Sequence, residues 1–276
     1  MSSKHIFIDI DGTLVGYDAK IPPSALRALK QAQTRGHRII IATGRQPAQI
    51  YPDLLAAMDF DGIIASTGAY VACGGRKVYE SVIEGDDLRF AVDCFEREGI
   101  CCLYMSEREQ FAPRTFHEVV LPGMREIGYS EDLIRGAYGN VQTVEDPRTL
   151  AGIEKFSYFL SNKTTAELSR ALNDRFYVVD YSVGNLTTDL FFGEMTLAGV
   201  NKGSGILRYL EAAGASIEDT IAIGDSGNDI DMIDLCAVGV AMGNATDKIK
   251  AAADLVTTDV DKDGIYNAFH DLGLIE

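Results

Sequence analysis

Two carboxylates, two residues apart, close an apolar run at Phe7-Ile8-Asp9-Ile10-Asp11-Gly12-Thr13. Such a run reads as a buried strand, and strand ends facing a crevice are where open α/β sheets bind ligands. Acids placed there need a counterion, because an isolated desolvated carboxylate is very costly. Mg²⁺ suits them: it takes hard oxygen ligands and leaves positions open for water and phosphate. A plain loop cap is the alternative reading of Asp9 and Asp11 taken alone. A second apolar run, Ile221-Ala222-Ile223, ends in Gly224-Asp225-Ser226-Gly227-Asn228-Asp229. Asp225 and Asp229 are four apart, so a helix starting in that loop turns both the same way. Two strand ends then offer three or four carboxylates to one ion.

Two more sites fit an anion. At Ile40-Ile41-Ala42-Thr43-Gly44-Arg45 a buried strand delivers a hydroxyl, and Gly44 lets backbone N–H groups come close to phosphate. At Asn201-Lys202-Gly203 a lysine opens a helix, where its charge and the helix N-terminus both favour phosphate. Each has an ordinary alternative: Thr43 as a structural strand-end residue, Lys202 as a solvated side chain.

Positioning these residues requires a sheet whose strands end together. Apolar runs at residues 5–9, 38–42 and 62–65 alternate with helical stretches, the rhythm of βαβ units around a parallel sheet. Ser24 is the expected cap of a first helix bearing Leu26 and Leu29, with Gly36 as its left-handed stop. A second helix is expected after Pro47, with Ile50, Leu54, Leu55 and Met58 at helical spacing. Cys73-Gly74-Gly75-Arg76 reads as a hairpin turn. From about residue 83 the rhythm changes to a helix at 87–98, strands at 100–105, 110–112 and 156–160, a helix from Thr164, and strands at 176–181 and 186–192. An inserted domain over 83–193 is therefore expected, splitting a core of residues 1–82 and 194–276. The βαβ rhythm returns with a helix from Lys202 and strands at 220–223, 237–241 and 254–257.

Composition bounds the partners. At 276 residues and about 150 per domain, one large or two modest domains are expected. A formal charge of −16 repels polyphosphate backbones, which excludes nucleic acid as a partner class. No apolar run approaches the roughly 20 residues that span a bilayer, and the first residues run straight into acids where a signal peptide would end, so no membrane and a cytoplasmic location are expected. Five cysteines without a CxxC pair indicate reduced core residues, and four histidines have no metal-binding spacing.

Together the four elements resemble the haloacid dehalogenase superfamily of phosphotransferases, whose motifs are DxDGT, a strand-end Thr or Ser, a Lys, and GDxxND, here in that order along the whole chain. Residues 83–193 resemble the large mixed α/β cap of its Cof-type (IIB) subgroup, and GDSGND and the Gly68-Ala69 pair fit that subgroup. Where many relatives have Asn before that pair, this chain has Thr67. The resemblance implies an α/β fold: a Rossmann-like, doubly wound parallel core with an inserted C2-type cap. It further implies that Asp9 is the nucleophile and Asp11 the general acid and base. Mg²⁺ would be held by Asp9, the backbone carbonyl of Asp11 and Asp225, with Asp229 as a further ligand, directly or through water. Thr43, the Gly44 amide, Lys202, Asn228 and the Ile10 amide would bind phosphoryl oxygens. Arg45 would contact the leaving group or the cap.

Near the C-terminus, Asp259-Val260-Asp261-Lys262-Asp263-Gly264 fits the start of a calcium-binding EF-hand loop, but position twelve is His270 where a bidentate Glu is needed. The expectation is a loop whose acids cap the last helix and border the active site. The leading functional expectation is a Mg²⁺-dependent phosphatase of small phosphorylated metabolites, sugar phosphates above all, acting as a monomer or weak homodimer. A phosphomutase is the alternative within related chemistry, and a non-catalytic phospho-ligand regulator the alternative outside it. Specificity would lie on cap residues such as Thr187, Asp189 or the polar residues of 106–115.

Overall fold

The computed structural model describes residues 3–16, 20–180 and 191–276. The chain begins with β1 His5–Ile8, α1 Pro23–Thr34, β2 Arg38–Ala42, α2 Pro52–Ala57, β3 Gly62–Ala65, β4 Tyr70–Cys73 and β5 Arg76–Glu80. It continues through α3 Gly85–Glu98, β6 Cys101–Ser106, β7 Gln110–Ala112, α4 Leu121–Glu126, α5 Glu131–Tyr138, β8 Val141–Thr143, β9 Ile153–Ser161, α6 Thr165–Ala171, β10 Phe176–Asp180 and β11 Phe191–Leu197. It closes with α7 Lys202–Ala213, β12 Thr220–Gly224, α8 Ile230–Leu235, β13 Val238–Ala241, α9 Asp247–Ala252, β14 Leu255–Val256 and α10 Gly264–Asp271. Two compact units result: Met1–Arg45, Ile50–Glu80 and Asn201–Glu276 in one, Gln46–Gln49 and Ser81–Val200 in the other.

In the first unit the described strands form a sheet in the order β14-β13-β12-β1-β2-β3-β4-β5. It is parallel from β14 to β3 and antiparallel through β4 and β5. Strands covered on both faces are apolar without alternation, and Ile6, Phe7, Ile8, Ile39, Ile40, Ile41, Ile221 and Ile223 are all buried accordingly. Ile8 pairs with Ile41 on one side and Ile223 on the other, so β1, β2 and β12 end side by side. The hairpin between β4 and β5 turns on Gly74 and Gly75, at φ 55° and 74°, a pair of positive values that matches the twist of the strands.

Two local expectations are corrected. Ser24 is not a cap: α1 is entered through Pro22 and Pro23, and the buried Ser24 hydroxyl makes no hydrogen bond. Proline at the first helical position needs no N–H partner and brings its φ preset, so no side-chain cap is required. The helix expected from Pro47 is interrupted, leaving a short turn at Pro47–Gln49 before α2 begins at Pro52. A residue preceding proline is pushed out of the helical region, and Tyr51 is extended at ψ 123°. Ile50, Leu54 and Met58 are still buried, whereas Leu55 is exposed.

In the second unit the sheet order is β10-β11-β9-β6-β7-β8, with only β7 and β8 parallel among the described strands. The α3 side of this sheet carries an aromatic core, where the Phe156 ring meets Phe95 and Tyr104 edge-on at centroid distances of 5.3 Å. Gly99 at φ 68° stops α3, and a capping box between Thr164 and Glu167 starts α6. Of the expected 186–192 strand, the part before Phe191 lies outside the described residues, as do Thr187 and Asp189. All five cysteines are free thiols, and no described helix is long and apolar enough to cross a membrane. Phe156→Ala empties the centre of this aromatic core and is expected to destabilise the protein by about 3–5 kcal/mol. Urea unfolding checks it, and a loss under about 1 kcal/mol contradicts the packing role.

Candidate active site

Asp9 follows β1 directly, and its N–H donates to the Ile223 carbonyl at 3.0 Å, which extends the pairing with β12 by one residue. The chain then winds tightly. The Ile10 carbonyl accepts from the N–H groups of Thr13, Leu14 and Val15 at 3.3, 2.9 and 2.7 Å. Gly12 sits at φ 84°, and a Cβ there would collide with Asp225 Oδ2, so only glycine fits. Thr13 Oγ1 donates to Asp225 Oδ1 at 2.8 Å, linking the two acid loops. In the second loop Asp229 Oδ2 accepts from the N–H groups of Asp225 and Ser226 at 3.0 and 2.9 Å. Asn228 is buried, its Oδ1 accepting from Ser226 Oγ at 2.9 Å.

Lys202 joins the two strand ends. Asn201 caps α7 by accepting from the Ser204 N–H at 2.8 Å, and the next side chain is fully buried. Its Nζ lies 2.6 Å from Asp9 Oδ1 and 2.6 Å from Asp229 Oδ1. Asp9, Asp225 and Asp229 each place one carboxylate oxygen within 4.8 Å of the others. Burial pushes Asp9 well above the usual carboxylate range, with Lys202 opposing and the neighbouring acids adding to the rise. Burial and the nearby Asp229 raise Asp225 to about 7. Burial works against the Lys202 charge, but its two carboxylate partners outweigh that and raise its pKa. Three hard-oxygen donors with more negative charge than one ammonium balances suit a divalent cation.

Thr43 stands buried just past β2, its Oγ1 accepting the Arg45 N–H at 3.1 Å. Its carbonyl accepts the Thr67 N–H at 3.2 Å. Ser66, Thr67 and Gly68 run consecutively at φ 49°, 55° and 97°. A β-branched residue rarely adopts that conformation, which marks this turn as held by its surroundings. Gly68 shows why: a Cβ would run into the Asn201 carbonyl, so the turn is pressed against the residue that starts the Lys202 helix.

Asp11 is not one of the three clustered carboxylates. Its oxygens accept from Arg45 Nε at 2.6 Å, Arg45 Nη2 at 2.8 Å and Tyr51 Oη at 3.0 Å. Arg45, expected at a leaving group or cap, is thus engaged by Asp11 within the first unit. Tyr51 is invisible to sequence reading because a tyrosine before a proline carries no chemical signature. Asn244 is equally silent there; its Nδ2 donates to the Gly12 carbonyl at 2.8 Å and its Oδ1 accepts from the Val260 N–H at 2.9 Å. The expected acidic cap of the last helix is corrected: Asp263 precedes α10 at φ 60° and makes no side-chain capping bond. The Asp259 backbone carbonyl serves the loop instead, accepting from Lys262 and Gly264.

The chain belongs to the haloacid dehalogenase-like hydrolase family, whose model matches residues 6–269. It is 31% identical over 276 residues to YkrA of Bacillus subtilis (strain 168), a putative phosphatase, covering 100% of both chains. With pyridoxal phosphate phosphatase YbhA of Escherichia coli (strain K12) it shares 27% identity, over 96% of this chain and 97% of YbhA. Its fold matches that of BT4131, a sugar phosphatase of haloacid dehalogenase subclass IIB, with a TM-score of 0.79, 30% identity and coverage of 99% and 100%. The protein is a Cof-type phosphatase with a Rossmann-like α/β core and a cap domain.

Lys202→Met leaves Asp9 and Asp229 buried without their shared cation, and breaking a buried pair in this way costs about 3–5 kcal/mol. The expected outcome is a matching loss of unfolding free energy in metal-free buffer, measured by urea denaturation. An unchanged midpoint contradicts the electrostatic role given to Lys202.

Proposed function

We propose that the protein is a Mg²⁺-dependent phosphatase of small phosphorylated metabolites, sugar phosphates foremost, working through an aspartyl-phosphate. The observation that carries this reading is the cluster of Asp9 and Asp225, which follow the adjacent parallel strands β1 and β12, with the buried Lys202 and Asp229 at two helix starts. The likeness to a sugar phosphatase supports the substrate class. In this reading residues 1–82 and 194–276 are the catalytic core and 83–193 the cap.

Asp9 attacks phosphorus in line as the bond to the leaving oxygen breaks, and Asp11 gives that oxygen its proton. Asp11 then takes a proton from water, which attacks phosphorus and frees the Asp9 carboxylate. An ammonium has three donors; Asp9 and Asp229 take two from Lys202, which leaves the third for a phosphoryl oxygen. The Thr43 hydroxyl, the Asn228 amide and the N–H groups of Ile10 and Gly44 complete the donor set for the spread negative charge of the transferring group. Asp9, Asp225 and the Asp11 carbonyl would hold Mg²⁺, with Asp229 behind them fixing Lys202 and the Asp225–Ser226 amides. The ion supplies positive charge against the phosphoryl oxygens.

Asp9→Asn removes the nucleophile at nearly constant shape. Hydrolysis of p-nitrophenyl phosphate is expected to fall at least about a thousandfold with an unchanged circular dichroism spectrum, and substantial residual turnover defeats the assignment. EDTA is expected to abolish turnover of the wild-type protein and added Mg²⁺ to restore it; activity that persists in EDTA refutes the metal requirement.

A further inference from the structure

The group that must move protons, Asp11, is the one site carboxylate with substantial exposure, its side chain 48% accessible against 7% for Asp9. An exposed carboxylate in a turn has several rotamers, and proton transfer requires one. Arg45 grips it with two parallel N–H···O bonds, the forked geometry that fixes direction as well as distance. Arg45 is itself fixed: its guanidinium carbon lies 4.1 Å from the centre of the Tyr51 ring, and its Nη2 also donates to the Tyr51 hydroxyl. That hydroxyl donates in turn to Asp11 Oδ1 at 3.0 Å, closing a three-membered ring of contacts. Pro52 fixes the backbone beside it, because the residue before a proline is confined to the extended region and Tyr51 begins α2 from there.

We propose that Tyr51 is a positioning residue of the phosphatase reaction: with Arg45 it holds the Asp11 carboxylate in the orientation from which a proton reaches the leaving oxygen. The inference rests on the reading of Asp11 as general acid and extends it to a residue that touches neither phosphate nor ion. Its signature is dependence on the leaving group. p-Nitrophenolate departs with little protonation, whereas phenolate, a stronger base, needs the acid more, so a misplaced Asp11 slows phenyl phosphate more than p-nitrophenyl phosphate.

The test compares kcat and KM of wild-type protein, Tyr51→Leu and Tyr51→Phe on those two esters, with Asp9→Asn alongside. Tyr51→Leu removes both ring and hydroxyl. It is expected to lower kcat/KM, which reports the steps through departure of the leaving group, about tenfold on phenyl phosphate and about threefold or less on p-nitrophenyl phosphate. Tyr51→Phe keeps the ring on Arg45 and removes only the hydroxyl, so it is expected to recover part of the phenyl phosphate rate; it also stands as the test if the leucine variant does not fold. Equal losses of kcat/KM on both esters, unchanged kcat/KM or a higher kcat/KM each overturn the proposal. Residual turnover by Asp9→Asn overturns the underlying mechanism, whereas an inactive Asp9→Asn with no leaving-group split at Tyr51 overturns this inference alone.

Discussion

Three carboxylates, two of them buried and Asp225 partly so, cluster around one buried ammonium, and much of the first unit's architecture serves that arrangement. At an effective dielectric of about 20, two unit charges 4 Å apart interact by about 4 kcal/mol, so the attractions and repulsions here rival the net stability of a whole domain. Lys202 touches Asp9, which follows β1, and Asp229, which precedes α8, and leaves Asp225 to the Thr13 hydroxyl. Asp225 consequently has less positive charge than its burial demands, which is where an additional cation is most stabilising.

The backbone around this cluster is shaped by how closely its parts approach. A Cβ on Gly224 would stand 2.5 Å from Asp229 Cγ, as one on Gly12 would collide with Asp225. Gly224 therefore admits a carboxylate from its own loop, and Gly12 one from the neighbouring loop. The left-handed run Ser66-Thr67-Gly68 shows the same constraint at a distance from the charges. The Thr67 N–H donates to the Thr43 carbonyl, and Gly68 meets Asn201, so one turn ties the threonine strand end to the start of the lysine helix. Thr67 is a costly residue for this turn, since a β-branched side chain tolerates positive φ far less well than asparagine or glycine.

Periodicity and composition reveal what depends on long apolar runs and on residues with unambiguous chemistry. The strands around Phe7, Ile40 and Ile223 are legible because burial on both faces leaves no polar alternation. Asp9, Lys202 and Asp225 are legible because two apolar runs end in acids and a helix opens on a lysine in one order along the chain, although each signal alone has an ordinary reading. Ser24 misleads because the proline pair at 22–23 supplies what a cap would. The break before α2 is masked in a similar way: apolar spacing at Ile50 and Leu54 continues straight across Tyr51-Pro52, although the backbone does not. Tyr51 and Asn244 act through hydrogen bonds to residues distant in sequence, and no local pattern encodes such partners.

Asp9 and Asp11 are the same side chain two residues apart, and the turn between them gives each a different environment. Had β1 continued, both would face one side of the sheet. The Ile10 carbonyl instead gathers three N–H groups and bends the chain, leaving Asp9 buried on Lys202 while Asp11 emerges beside Arg45 and Tyr51. Pairs of identical acids held in unlike surroundings are how one site divides nucleophilic from proton-transfer work. Here a single turn sets the two surroundings apart, and its tightness depends on Gly12, whose missing Cβ also leaves room for Asp225. The separation of the two acids and the approach of the third are thus consequences of one backbone conformation.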